Sequence, residues 1–132
     1  MQHLFLYIDE KEKFEPDKIE KDLESIIGTS NLNGNDFSDS TVGCDYRFNG
    51  YETVIRLEEE PTLIAMDNIS DAALNLALEL QKLDKRPFRI ATDSGDFNFS
   101  LANLTSLKDV KEKVSEGYFD EEALAMEQAE VA

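Results

Sequence analysis

Carboxylates are the side chains of this 132-residue sequence most able to do chemistry, because 29 Asp and Glu stand against 13 Lys and Arg. Such groups can trade protons, hold cations or present a negative surface to a positive one. Proton trading needs a pair whose surroundings push their pKa values apart. Asp93 and Asp96 flank Ser94 and Gly95, but nothing apolar beside Asp93 would raise its pKa, and among so many acids close pairs arise by chance. The Ser94-Gly95 pair is turn chemistry, since flanking carboxylates repel phosphate. Asn31, Asn33 and Asn35 have the spacing of a calcium loop, yet Asp36 stands where that loop needs glycine and Val42 where it needs a bidentate glutamate. Nucleophilic catalysis needs a base, and His3 is the only histidine; Cys44 could meet it only if their strands were neighbours, and Cys44 is expected to face the core as a small apolar residue. No catalytic residue, cofactor or metal is expected.

The third use of carboxylates fits better. A net charge of −16 has the wrong sign for nucleic acid, whose binding is driven by Lys and Arg. The excess is uneven: residues 29 to 71 carry 9 acids and 2 bases and residues 114 to 132 carry 6 acids and no base, whereas residues 72 to 113 are nearly balanced, with 6 acids and 7 bases. A lopsided field of this kind steers a basic protein into one orientation and speeds its association. The expected contact set is Asp45, Glu52, Glu58, Glu59, Glu60 and Asp67, with Asp36 and Asp39 beside them. Tyr118 and Phe119, next to Asp120, Glu121 and Glu122, either anchor a partner or fold the tail back onto the sheet.

These residues must be positioned by a fold that the hydrophobic periodicity outlines. Leu4, Leu6 and Ile8 alternate with Phe5 and Tyr7, so a central strand with two apolar faces is expected near the N-terminus. Glu15, Pro16 and Asp17 start a helix that buries Ile19, Leu23, Ile26 and Ile27 and ends at Gly28. Residues 29 to 40 read as a loop. Asn49 and Gly50 supply the two positive φ values of a type I′ turn, which sets Phe48 opposite Tyr51, Tyr46 opposite Thr53, Cys44 opposite Ile55 and Val42 opposite Leu57 on an inward side. Arg47 then faces Glu52 on the wet side. Leu63 to Met66 reads as a short strand.

From Ile69 to Leu83 the apolar residues surround most of a helix, the core helix of the chain, capped by Asp67 or Asn68. Phe88 and Ile90 return against Phe97, Phe99 and Leu101 across the turn at residues 93 to 96. Thr105 or Ser106 caps a last helix carrying Leu107, Val110 and Val114, which Gly117 ends. The expectation is an α+β fold, a mainly antiparallel sheet of about five strands with two to four helices chiefly on one face. It forms one domain, 1–132, whose residues 118 to 132 are an acidic C-terminal helix that either docks loosely or frays. No apolar run is long enough to span a membrane, and residues 1 to 9 lack the basic start of a signal peptide. A single cysteine fits a reducing cytoplasm.

In its whole-chain acidity, its Glu58-Glu59-Glu60 block, its acidic tail and its lack of catalytic motifs, the chain resembles the small acidic immunity proteins of bacterial contact-dependent inhibition and other polymorphic-toxin systems. The resemblance implies a cytoplasmic α+β protein, a monomer or weak dimer, that neutralises a basic toxin domain, frequently a nuclease. A phage-encoded DNA mimic belongs to the same physical class, and an effector-secretion chaperone acting as a homodimer is the alternative.

Overall fold

The computed structural model describes residues 2–8, 12–34 and 41–124. Its elements run β1 (Leu4–Tyr7), α1 (Pro16–Ser25), β2 (Thr29–Ser30), β3 (Val42–Phe48), β4 (Tyr51–Leu57), β5 (Ile64–Met66), α2 (Asp71–Lys82), β6 (Arg89–Thr92), β7 (Asn98–Ser100) and α3 (Leu107–Glu116), and helix resumes at residues 121–124. The strands form one antiparallel sheet in the order β2-β3-β4-β5-β1-β6-β7. The fold is thus α+β, with seven strands where about five were expected. The additional ones are short, above all β2, two residues inside the segment read as a loop. Two residues carry no periodicity, so only their pairing of Thr29 with Tyr46 and Ser30 with Asp45 makes them a strand.

Strand residues alternate between faces, and here the alternation divides dry from wet. Leu4, Leu6, Val42, Cys44, Tyr46, Ile55, Leu57, Ile64, Met66, Ile90 and Phe99 lie on one face and are all buried. The core forms between them and the helices, chiefly α2, whose Ala72, Ala73, Leu74, Leu76, Ala77, Leu78 and Leu80 are buried. Alanines on α2 let its axis sit close to the strands, while α1 adds Phe14, Ile19 and Leu23 beside it and α3 adds Val110. Each large side chain so buried contributes roughly 1.5–3 kcal/mol.

The expected hairpin register is realised in full, and Asn49 and Gly50 have φ of 49° and 84°. Tyr51, beside the turn, lies on the inward side by register but is 50% exposed. Helix boundaries shift by a few residues where side chains intervene. Ser70, not Asp67 or Asn68, caps α2: its hydroxyl accepts from the Ala73 amide, and Asn68 in turn accepts from Ser70. Helix α1 stops at Ser25 because the Thr29 hydroxyl donates to the carbonyls of Leu23 and Ile26 at 2.8 and 2.9 Å. Ile26 stays buried, but Ile27 is turned out and 95% exposed, contrary to the expected stripe. At α3, Ser106 rather than Thr105 caps the start, and Gly117, at φ 63°, closes the end as expected.

Gly28 makes the α1–β2 connection feasible. Its φ is 108° and a Cβ there would lie 2.5 Å from the Arg47 carbonyl oxygen, whereas Gly50, at φ 84°, has open space around the same position. Gly28→Ala is therefore expected to lower stability by roughly 2–4 kcal/mol, combining left-handed strain with overpacking, and Gly50→Ala by about 1–2 kcal/mol from strain alone. Urea denaturation of the two variants measures the difference.

Candidate interaction surface

Helices α1, α2 and α3 pack on the dry face, so among the described residues the opposite face of the sheet meets helix only at its β6–β7 end, where Glu122 of the turn at residues 121–124 accepts from Arg89. The register arranges that wet face in rows running across the strands. One row, extended one residue past the paired ends of β5, β1 and β6, reads Asp45, Val54, Asp67, His3, Asp93. With strands about 4.8 Å apart, successive carboxylates in the row are roughly 10 Å apart. The next row reads Gly43, Arg56, Ala65, Phe5, Ala91, Asn98. Phe5 and Tyr7 are half-buried, so the second apolar face expected of β1 exists but is not enclosed.

The expected contact residues fall into two groups. Asp45, Glu52 and Asp67 meet at a shallow depression of about 330 Å³ lined also by Ser30, Arg47, Val54 and Asn68. Bases interrupt the acids there: Arg47 pairs with Glu52, as the register required, and Arg56 lies 3.4 Å from Asp67. Glu58, Glu59 and Glu60 stand at the other end of β4, roughly 20 Å from Glu52, and all three are exposed. Of these, only Glu60 has an ion pair among the described residues, with Lys13 at 3.4 Å. Asp36 and Asp39 lie outside the described residues.

The other candidates from the sequence take structural roles. Cys44 is buried on the dry face, and β4 and β5 separate its strand from that of His3, so the two cannot act together. Burial pushes the Cys44 thiol up to about 12, which leaves it protonated and inert at neutral pH. The His3 amide donates to Asp93, and its ring lies 3.4 Å from the same carboxylate; these contacts, the amide first, hold Asp93 below the ordinary carboxylate range. Asp96 accepts from Gln2 and Ser94 in the adjoining turn. Asn33, one of the three evenly spaced asparagines, has φ 53° and accepts from the Gly43 amide while donating to Glu20, so it fastens a turn. Among the described residues no group of three or more His, Cys, Asp or Glu is arranged to hold a metal.

One charged cluster had no signal in the sequence. Arg89, which belongs to the nearly charge-balanced segment 72 to 113, is 3% exposed on the wet face beside the last strands. It donates to Asn98 Oδ1, to Asp120 at 2.6 Å and to Glu122 at 2.9 Å, and the Asn98 amide nitrogen donates to the Tyr7 hydroxyl at 2.8 Å. Asp120 also accepts from the backbone amides of Ser100 and Ala123. Residues 118–120 lie along β7 through Tyr118 O to Asn98 N and Asp120 N to Asn98 O, with Tyr118 edge-on to Phe99 and beneath Lys113. Tyr118 and Phe119 thus fold the chain back onto the sheet, and the network fastens it there.

Burial raises the Asp120 pKa, but Arg89 and the two amides outweigh it, so the folded value lies below the unfolded one. The resulting stability is present above the unfolded carboxylate pKa, near 4, and is lost as pH falls through the folded value. Asp120→Asn is expected to cost about 1–3 kcal/mol at pH 7 and progressively less below pH 4, measured by denaturation at both pH values. The Cys44 thiol is expected to resist a disulfide reagent in the folded chain and to react once urea unfolds it. No protein-family model matches the chain, and neither a curated protein nor a solved structure shows significant similarity to it.

Proposed function

We propose that this chain is an acidic inhibitor of the immunity type, which binds a basic toxin domain, a nuclease in the first instance, and covers with carboxylates the surface that would hold substrate phosphate. Such an inhibitor acts as a monomer or weak dimer in the cytoplasm. The observation that carries the reading is the run Glu58, Glu59, Glu60, three consecutive exposed acids after β4, next to a single paired lysine, in a chain of net charge −16. Holding three like charges together is unfavourable in isolation, and a cationic partner relieves it. At ordinary ionic strength their field fades over roughly 8–10 Å, so their effect falls on the approach and orientation of the partner more than on distant parts of it.

The test is stopped-flow association with a basic nuclease domain that co-purifies with the chain. Reversal of the block (E58K, E59K, E60K) is expected to slow association by about 10- to 100-fold at low salt, with the difference shrinking as salt rises. An association rate indifferent to both the reversal and the salt overturns the reading.

A further inference from the structure

We infer that the partner docks on the wet face of the sheet, centred on Phe5, and that the group received there is an arginine side chain of the basic partner. This rests on the reading above and adds to it where binding occurs and what is recognised. Phe5 lies on β1 between Ala65 of β5 and Ala91 of β6, its direct cross-strand neighbours. Alanines do not rise beside the ring, and Phe5 is half-buried. The His3 ring continues it, parallel within 5° at a centroid separation of 6.4 Å. Asp67 and Asp93, two residues beyond those alanines, are the diagonal neighbours of Phe5, about 7–8 Å away, with side chains 40% and 38% exposed.

An aromatic face with a carboxylate at each flank suits a guanidinium, whose plane stacks on the ring while its edge N–H groups reach oxygens on either side. Asp67 meets Arg56 at 3.4 Å through one oxygen and Asp93 meets the His3 amide and ring through its two, but a carboxylate offers about four lone-pair sites, so each keeps spare acceptor capacity. Asp45 lies in the same row and extends the acidic line toward the hairpin end. Charge decides between the two occupants that an open sheet face admits. A second copy of the chain would bring a further charge of −16 against these acids, whereas a basic partner brings the opposite sign. The Glu58-Glu59-Glu60 block follows the end of β4, two strands from Phe5, and serves the approach of the partner rather than its seat.

The inference is tested by ¹⁵N NMR of the full chain titrated with nona-arginine and nona-lysine peptides at about 20 mM salt, where exposed charges are only weakly screened. Nona-arginine is expected to shift the amides of residues 3–7, 65–67 and 91–93 and to bind more tightly than nona-lysine. Phe5→Leu is expected to weaken it roughly three- to tenfold. The charge-neutral double variant D67N, D93N should weaken it at least as much, while E58Q, E59Q, E60Q changes it less than either. Amide dispersion of each variant reports folding, so if Phe5→Leu fails to fold, D67N, D93N carries the test alone. Shifts confined to residues 58–60, or spread evenly over the acidic surface, overturn the inference and leave the proposed function standing. Absence of binding by either peptide overturns both, and concentration-dependent shifts of residues 3–7 without peptide identify a second copy as the occupant and overturn the inference.

Discussion

Among the described residues, the three long helices all lie against one face of the seven-stranded sheet, and the rest of the molecule is arranged around that asymmetry. Because side chains alternate along each strand, covering one face settles the environment of every strand residue at once. The dry positions are filled by Leu, Ile, Val, Met and Phe and by the narrow, alanine-bearing surface of α2, and most of the stabilising burial is concentrated there. The wet positions are free of that demand and can hold residues chosen for other purposes. They hold Asp45, Arg47, Glu52, Arg56, Phe5 and Tyr7, a mixture that no core would accept without pairing.

A one-sided sheet also has edges to protect, and local devices close them. Beyond β3 the edge is occupied by the two residues of β2 and then by Asn33, whose amide and side chain bond the backbone of Gly43. At the other edge, residues 118–120 lie along β7, tied by Asp120 to Arg89. Unpaired strand backbone invites pairing with other chains, so short edge elements and fastened loops keep it occupied. Four acceptor contacts surround the Arg89 guanidinium and offset the cost of burying it. The same network joins β1, through Tyr7, to a segment more than a hundred residues later in the chain.

The acidity therefore serves two purposes. Some carboxylates are internal fittings: Asp120 and Asp84 are each held below the ordinary range once neighbouring bases outweigh burial, and Asp84 accepts from Arg86 while Lys18 lies 3.6 Å away. Others, Glu58 and Glu59 among them, have no ion pair among the described residues, and their charge acts on whatever approaches. The proposed function draws on the second kind. A charged end and a half-open aromatic on one sheet combine long-range attraction with a short-range fit, which separates the speed of association from the strength of the final contact.

Legible in the sequence alone were the α+β class, the hairpin register at Asn49-Gly50, the core helix, the start of α3 to within Thr105 or Ser106, and its end at Gly117. In each case the information is local: a period of two or 3.6, a pair of positive φ values, a cap within one turn. It also determined the net charge and the Glu58-Glu59-Glu60 run. Only the tertiary structure decided that β1 is covered on one face, that Ile27 turns out while Ile26 stays in, and that Arg89 is buried. It also placed Asp45, Glu52 and Asp67 together, far from the glutamate block, and Phe5 between two alanines and two aspartates. Those outcomes depend on which strands become neighbours, and strand order is fixed by how the helices share the dry face, a cooperative choice that no short window of sequence contains.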